Sequence, residues 1–393
     1  MLKALSLFLP FFLPIATSIS IPPRQWQQSN GKACNNSPLL CSLSYGEITH
    51  LGAHNSPFLR DASTGFSSSG NQFYNTTIQL DSGVRLVSGQ IHENDGEWHL
   101  CHTSCSLLDA GRVRDWLSEI KRWMDRNPND VVTVLLVNAD NAPPADLDAE
   151  FKAADLTSST YKPPSTSMTQ SSWPTLQALI EAKTRLMVFT TSLPSTSTPP
   201  PYLMNEFEYI FETAFEIVNP SNFSCNPHRP SQVHNNINAA LTSGRLPFLN
   251  HFLGNEGGLG IVSPNIDKIN ITNGPATAGD TQSLGSFAQK CQREYWGRKP
   301  TFILVDYFDQ GPAIETVDAL NGVSEPVGRK PVPDSNSEAL KVGGRPMREK
   351  GYMFRGLADL VEMVKSGSKP SLGNWIWVGG EWGALIGGGV AVG

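Results

Sequence analysis

The chain has 393 residues, of which 39% are hydrophobic, and its formal net charge is −6 at pH 7. A chain of this length can bury the core of one α/β barrel, which typically takes about 250 residues, so a second full domain is not required. Because the charge is mildly acidic and no stretch concentrates Lys and Arg, the composition favours neither a nucleic-acid partner nor tight electrostatic adhesion to anionic lipid.

The first 20 residues have the layout of a secretory signal peptide. Lys3 precedes an apolar run that Pro10 and Pro14 interrupt, and the run closes on small residues. A membrane-spanning helix needs about 20 uninterrupted apolar residues, which this segment does not provide. We therefore predict a signal peptide over residues 1–20 and a secreted or extracellular protein.

Six short apolar runs further along the chain have the character of strands, and amphipathic stretches separate several of them. The strands are predicted at residues 48–54, 84–92, 131–140, 185–192, 245–254 and 301–308. Helices are predicted over 109–126, with Asp109 as the N-cap, and over 207–218 and 281–295. This alternation indicates a parallel sheet with helices on its outside.

The predicted fold class is α/β, a single distorted (β/α)8 barrel of the TIM type over residues 21–325. The competing architecture is an open doubly wound sheet, which usually carries a glycine-rich phosphate loop after its first strand. Here that turn reads His54-Asn55-Ser56-Pro57. A closed or nearly closed barrel is therefore favoured.

Residues 326–393 are predicted to form a polar connection, a short helix and a glycine-rich apolar tail. Phe354, Leu357, Val361 and Val364 would share one face of that helix. The small residues at 366–368, followed by the apolar tail, are a loose match to a glycolipid-anchor signal. Anchoring at the cell surface therefore stays open beside free secretion.

Export changes how the six cysteines are interpreted, because disulfides persist in an oxidising compartment. Six cysteines permit many pairings, but short loops close readily and an even count leaves no free thiol. We predict the bridges Cys34–Cys41, Cys101–Cys105 and Cys225–Cys291. A zinc site around residues 101–105 is disfavoured, since no second ligand pair with finger-like spacing follows it.

Four triplets fit the acceptor pattern for N-glycosylation. They begin at Asn35, Asn75, Asn222 and Asn270. Glycans need surface positions, so we predict a glycoprotein in which these segments are exposed.

Two histidines follow predicted strands, where the catalytic groups of a parallel barrel gather. His54 ends the first strand, and His102 follows a short strand at 98–101. Cleavage of a phosphodiester by an internal hydroxyl needs one group to take the attacking proton and another to protonate the leaving oxygen. Two imidazoles can do both near neutral pH. Because His102 lies inside a predicted disulfide loop, His92 or His99 is an alternative inward-facing residue.

Five sequence blocks resemble successive strands of the X-region of phosphatidylinositol-specific phospholipase C. They are LGAHNS (51–56), GVRL (83–86), HLCH (99–102), VVTVLLVN (131–138) and FILVDY (302–307). The cysteine-flanked second histidine is similar to a fungal, secreted branch of phospholipase C-like phosphodiesterases. The resemblance runs from about residue 34 to residue 321.

The resemblance implies a phosphoric diester hydrolase or lyase, active in lipid metabolism on inositol phospholipids or glycosylated inositol lipids. By the same resemblance, His54 would be the general base and His102 the general acid, while Asp306 would orient an imidazole. Asn55 would hold a phosphate oxygen or a metal, and Asn138 falls where calcium-dependent members place an acidic ligand.

The chain departs from the family pattern after the GVR block. There the family places either two carboxylates for calcium or an aspartate followed by an arginine, whereas this chain has Ser88 and Gln90. Calcium prefers about six to eight oxygens with carboxylates among them. We therefore expect no metal and no cofactor, with Ser88, Gln90, Asn55 and Asn138 as neutral groups of the substrate site.

Two functions from different classes remain open at this point. One is the paired-histidine phosphodiesterase, and the alternative is a catalytically silent barrel that binds phosphoinositol or glycan at the cell surface. For either function we expect a monomer that makes peripheral membrane contact at most.

Overall fold

The computed structural model describes residues 33–166, 168–194, 198–256, 262–277 and 279–333, together with the backbone of three short strands near the C-terminus. The predicted signal peptide and the predicted helix around 354–364 lie outside the described residues. Among the described helices, none is long and apolar enough to span a membrane.

Strands and helices alternate along the chain. The first half contains β1 (His50–Ala53), α1 (Thr76–Asp81), β2 (Leu86–Asn94), β3 (Glu97–Cys101), β4 (Asp109–Arg112), α2 (Val113–Arg126), β5 (Val132–Asn138), α3 (Pro144–Ala153), α4 (Leu176–Glu181) and β6 (Leu186–Thr190). The second half contains β7 (Met204–Asn205), α5 (Glu206–Tyr209), β8 (Ile210–Glu212), α6 (Ile237–Thr242), β9 (Leu246–Asn250), β10 (Gly254–Glu256), β11 (Val262–Pro264), α7 (Ile269–Thr272), α8 (Leu284–Lys290), β12 (Phe302–Val305) and α9 (Ala313–Asn321). The C-terminal strands are β13 (Trp375–Val378), β14 (Glu381–Ile386) and β15 (Gly389–Val392), which pair as an antiparallel sheet.

Eight parallel strands form a curled sheet in the order β7-β6-β5-β2-β1-β12-β9-β8. Followed in chain order, these strands run round a ring in which β12 returns to pair with β1. In the described part of the chain, β7 and β8 are the two edges, so the ring is open at that seam. The fold class is confirmed as a distorted (β/α)8 barrel.

Alternation along the strands separates an inner core from an outer core. Leu86, Leu135, Phe189, Phe248 and Leu304 belong to the inner cluster, whereas their strand neighbours pack in the outer cluster with the helices. Inner packing is tight at β1. A Cβ added to Gly52 would lie 2.7 Å from side-chain atoms of both Leu86 and Leu304, so glycine lets the adjacent strands pack closely here.

The predicted helix at 109–126 is confirmed in its end at Arg126 but not in its start, which is at Val113. Six apolar side chains of α2 are buried on one face: Val113, Trp116, Leu117, Ile120, Trp123 and Met124. The expectation of an N-cap at Asp109 is wrong, because residues 109–112 form β4, which pairs with β3. The Asp109 carboxylate instead accepts hydrogen bonds from His99 and from the Gly111 amide.

The predicted helix at 207–218 is also wrong over most of its length. Within that range only residues 207–209, the last three of α5, are helical, and Ile210–Glu212 continue as β8. The parallel pairing of β8 with β9 buries all three β8 residues. A run this short carries too little periodicity to separate helix from strand, and the neighbouring strand decides the outcome.

The structure contains three disulfides, Cys34–Cys41, Cys101–Cys105 and Cys225–Cys291, which are the expected pairs. Of the glycosylation triplets, Asn222 and Asn270 are exposed, and Asn75 is half-buried as the N-cap of α1. The expectation of a surface position is wrong for Asn35, whose buried side chain accepts a hydrogen bond from the Val131 amide.

Candidate active site

His54 and Asp306 meet because the first and last strands of the barrel are neighbours. His54 follows β1 and Asp306 follows β12, and the two side chains approach with Nδ1 and Oδ1 2.8 Å apart. Asp306 is almost fully buried, whereas one fifth of the His54 side chain is exposed. Because an ionised carboxylate only accepts hydrogen bonds, Nδ1 of His54 carries a proton. Its Nε2 is therefore the nitrogen available to act as a base.

A set of buried amides fixes this pair in place. Asn71 donates through Nδ2 to Asp306 Oδ1 at 2.8 Å and accepts from Asn55 Nδ2 at 3.2 Å. Gln72 Nε2 donates to the carbonyl of His54 at 2.8 Å. On another side, the Phe252 ring stacks on the imidazole with the centroids 3.9 Å apart. The imidazole is thus held by packing as well as by the carboxylate.

His102 reaches the same end of the barrel on a separate support. It follows β3, which runs antiparallel to β2 and does not belong to the parallel ring. The Cys101–Cys105 disulfide and a hydrogen bond from the His102 amide to the Leu108 carbonyl, 2.9 Å long, close its loop. Its ring meets the Phe58 ring edge-on at 5.2 Å.

Burial, followed by smaller effects of charge on His54 and His92, lowers the pKa of His102 to about 3. The free protein therefore holds His102 neutral near pH 7. A phosphate anion between the imidazoles would favour their charged forms. A role as general acid thus depends on the bound substrate.

Ser88 and Gln90 support the two histidine loops. The Ser88 hydroxyl accepts from the Asn55 amide at 3.0 Å and donates to the Ala53 carbonyl at 3.3 Å. Gln90 Oε1 accepts from the Thr103 amide at 2.8 Å, next to His102. Side chains alternate between the two faces of a strand, and Leu86 of β2 faces inward. Ser88 and Gln90, two and four residues later, therefore lie on the same inner face.

Asn138 lies at the end of β5, on the same face as the outer-core residues Val134 and Leu136. Its amide donates to the carbonyls of Ala142 and Ser192, both at 3.1 Å, and its oxygen accepts from the Ala142 amide at 2.7 Å. These contacts close the turn after β5. They give Asn138 a structural role and place it apart from His54.

The residues present do not fit a calcium site. At the positions where the resemblance implies carboxylates, Ser88 and Gln90 hold the backbone through neutral oxygens. Within the described residues, no group of three or more His, Cys, Asp or Glu side chains is arranged to hold a metal ion.

A second charged cluster lies near the open seam, and no motif in the sequence indicated it. Glu212, which ends β8, accepts hydrogen bonds from Arg229 and from Asn250 Nδ2. The Arg229 guanidinium stacks over the Phe215 ring at 4.3 Å. Burial raises the pKa of the nearby Glu206 well above the usual carboxyl value, and Glu212 raises it further. Although burial also acts to raise it, the pKa of Glu212 is lowered overall because Arg229 is close.

Two contributors, Asn71 and Phe252, were absent from the sequence-based prediction, and a third, His92, was named there only as an alternative inward-facing residue. Asn71 lies in a serine- and glycine-rich loop with no periodic pattern, so no local signal marks it. Phe252 follows Phe248 and Asn250 at the spacing of two that defines one face of a strand, which is a usable signal. His92 forms a pair with Asp140, with Nδ1 and Oδ1 3.0 Å apart.

The matches between this chain and known proteins cover most of its length. The family model described as "PI-PLC X 1" matches residues 40–321. Two proteins of Arthroderma benhamiae are similar. A "PI-PLC X domain-containing protein 1" is 35% identical over 74% of this chain and 90% of its own length. An "Uncharacterized secreted protein" is 34% identical over 77% of this chain and 66% of its own length.

Among solved structures, the phosphatidylinositol-specific phospholipase C from Listeria monocytogenes aligns with a TM-score of 0.45 at 11% sequence identity. The alignment covers 72% of this chain and 94% of that one. The family model and the 35% identical relative each span well over half of the chain. The chain therefore belongs to the PI-PLC X family.

Proposed function

We propose that the protein is a phospholipase C-like phosphodiesterase that cleaves inositol phospholipids or glycosylated inositol lipids. The observation that carries the proposal is the buried Asp306–His54 pair, with His102 at the same end of the barrel. A carboxylate that fixes one imidazole nitrogen and leaves the other free is the usual arrangement of a general base.

In the proposed reaction, His54 Nε2 takes the proton of an inositol hydroxyl as its oxygen forms a bond to phosphorus. The bond from phosphorus to the lipid oxygen breaks, and His102 donates a proton to that oxygen. Diacylglycerol leaves, and a cyclic phosphodiester remains on the inositol. Asp306 stabilises the imidazolium that forms on His54, as a buried carboxylate does in acyl-transfer triads.

The alternative, a silent barrel that binds phosphoinositol or glycan, is favoured by a specific observation. Ser88 and Gln90 are engaged with backbone groups of the histidine loops. Neither side chain supplies a charge to the phosphate, and one lost electrostatic donor costs about a hundredfold in rate or more.

Incubation of the purified protein with phosphatidylinositol vesicles distinguishes the two functions. For the enzyme, we expect release of water-soluble inositol phosphate that His54→Ala abolishes, while the exposed His234→Ala serves as the matched control and leaves turnover unchanged. Chelators should not reduce the rate. Binding of vesicles without release would favour the silent barrel, and loss of activity with a chelator and rescue by calcium would contradict the metal-free assignment.

We also propose that the barrel mouth contacts the lipid surface. Five of the seven large apolar side chains that are exposed in the described residues follow C-terminal ends of strands, in segments on the mouth side. They are Phe66, Leu107, Val218, Val262 and Ile271. Phe66 and Ile271 are the most exposed, at 66% and 68%.

Burial of a large apolar side chain in the lipid interface stabilises binding by roughly 1.5–3 kcal/mol. We therefore expect Phe66→Ser with Ile271→Ser to reduce the vesicle-bound fraction about tenfold or more. Val327→Ser, at an exposed position after α9, is the matched control. Equal sedimentation of all three proteins with vesicles would contradict contact through the mouth.

Action outside the cell is part of the same proposal. Three disulfides in the described chain are typical of proteins that fold in an oxidising compartment. Mass spectrometry of the protein from a eukaryotic secretion host would identify the mature N-terminus, any glycolipid, and glycans at Asn222 and Asn270. A retained N-terminal segment on intracellular protein would contradict export.

A further inference from the structure

Two imidazole nitrogens near the candidate site are buried without a hydrogen-bond partner among the described residues. They are Nδ1 of His102 and Nε2 of His92. A buried polar atom without a partner is destabilising, and most such atoms in native proteins are paired. Because both unpaired nitrogens belong to histidines at the same end of the barrel, each is a candidate hydrogen-bonding partner for the other.

The protonation of His92 follows from its other contact. Nδ1 lies 3.0 Å from Asp140 Oδ1, and the second carboxylate oxygen accepts the Glu93 amide at 3.0 Å. Because the ionised carboxylate only accepts, Nδ1 carries the proton. In this tautomer the Nε2 of His92 is the nitrogen that accepts a hydrogen bond.

Gln90 places His92 and His102 on the same side of β2. Alternation puts Gln90 and His92 on one face of the strand. Gln90 Oε1 binds the amide of Thr103, the residue after His102. The two histidines are also close enough for a positive charge on His92 to lower the pKa of His102, as a charge on His54 would. The Phe58 ring packs on His102 from the β1 side.

We propose that Asp140 and His92 are positioning residues for His102. His92 Nε2 accepts a hydrogen bond from one bound water, which in turn accepts from Nδ1–H of His102, so that both buried nitrogens are satisfied and His102 presents Nε2 to the leaving oxygen. Each imidazole of the site would then have its own carboxylate, Asp306 for His54 and Asp140, through His92, for His102. This inference deepens the proposed function and rests on it for its catalytic meaning.

His99 offers a matched control because it forms a chemically identical pair. It lies opposite His92 across the β2–β3 ladder, and its Nδ1 bonds Asp109 at 2.9 Å. His99→Leu therefore removes a histidine–aspartate pair from the same hairpin without removing the proposed acceptor.

The kinetic test compares His92→Leu, His92→Gln and His99→Leu in the full chain with phosphatidylinositol vesicles. We expect His92→Leu to lower kcat about tenfold to a hundredfold with little change in KM. The high-pH limb of the kcat profile should move to lower pH, because protonated His102 loses its acceptor. His92→Gln, whose amide oxygen accepts, should restore part of the rate, and Asp140→Asn should lower it. Equal kcat and equal pH profiles in His92→Leu and His99→Leu would overturn the proposal.

Imidazole ¹⁵N shifts of His102 test the pairing without relying on turnover. We expect the Nδ1–H tautomer in the wild-type chain and in His99→Leu, and a shift towards the Nε2–H tautomer in His92→Leu. An unchanged tautomer in folded His92→Leu would overturn the proposal. If His92→Leu changes the tautomer of His102 as expected but the wild-type chain cleaves no inositol lipid, the positioning role is upheld and the proposed function is rejected.

Discussion

At the scale of single residues, the Asp306 carboxylate is the group on which the proposed chemistry depends most. It holds Nδ1 of His54 at 2.8 Å and is itself held by Asn71. The position is almost fully buried, so the contact is not screened by solvent. Removing the negative charge should affect the reaction more than binding, because the imidazolium develops only as the proton is taken.

We expect Asp306→Asn to lower kcat by about 10²–10⁴-fold with little change in KM. The amide can donate to Nδ1 and so favours the wrong tautomer of His54. Steady-state kinetics on phosphatidylinositol measures the effect, and circular dichroism checks folding. Asp109→Asn, in the pair with His99, is the control and should keep the wild-type kcat. A folded Asp306→Asn protein with wild-type kcat would disprove the role.

At the scale of elements, the loop after β3 that the Cys101–Cys105 disulfide closes is expected to affect activity more than stability. His102 lies between Cys101 and Cys105, which are four residues apart, whereas Cys225 and Cys291 are 66 residues apart. In the chain-entropy account, a short loop contributes about 2 kcal/mol to the free energy of unfolding and a loop of this longer size about 4 kcal/mol. We therefore expect the small bridge to matter more for the position of His102 than for stability.

We expect Cys101→Ser with Cys105→Ser to reduce kcat at least tenfold while lowering the free energy of unfolding by only about 2 kcal/mol. Cys225→Ser with Cys291→Ser should do the opposite and lower stability more, with kcat per folded molecule unchanged. Urea denaturation and kinetics on the same samples give both quantities. Equal loss of activity in the two double variants would contradict this separation.

Near the seam between β7 and β8, the buried carboxyl group of Glu206 makes the free energy of unfolding depend on pH. Burial raises the pKa of Glu206 well above the carboxyl value of the unfolded chain. The folded state therefore binds this proton more tightly, and its contribution to stability is complete below the unfolded pKa. That contribution is lost as the pH rises through the raised pKa.

We expect the free energy of unfolding of Glu206→Gln to exceed that of the wild type increasingly as the pH rises above the unfolded carboxyl pKa of about 4.5. Glutamine copies the neutral form, so the variant has no charge to bury. Denaturant titrations of both proteins between pH 5 and pH 8 measure the difference. Parallel stability curves would show that Glu206 is not the group that titrates.

At the scale of the whole molecule, three buried histidines make the fold sensitive to acid. Burial lowers the pKa of His50 to about 4, of His251 to about 4 and of His102 to about 3. In the unfolded chain these side chains titrate near 6.5. Between these values the unfolded state binds more protons, so stability is complete above pH 6.5 and is lost as the pH falls towards 4.

We expect the free energy of unfolding to fall between pH 6.5 and 4 by up to about 1.4 kcal/mol per pH unit for each of these histidines. His50→Gln should remove about one third of that slope. His234→Gln, at an exposed position, should leave it unchanged. A free energy of unfolding that does not vary across this range would contradict neutral burial of the three imidazoles.

Local patterns in the chain were sufficient to predict several parts of the fold and the candidate site. The apolar runs predicted β1, β2, β5, β6, β9 and β12. Those of β5, β6 and β12 are near-continuous, as expected for strands buried on both faces. His54 and Asp306 could be placed because each directly follows such a run. The bridge between Cys101 and Cys105 was predictable because its ends lie close along the chain.

Only the tertiary structure decided which side chains meet. Asn71 and Asp306 are 235 residues apart and touch because β12 closes the ring beside β1. Asn138 was expected at the site, but strand register turns it to the outer face. Local sequence predicts where a strand lies, since burial and turn chemistry act on neighbouring residues. Which face a side chain occupies, and what it contacts there, depends on pairing between distant segments, whose register a single sequence does not contain.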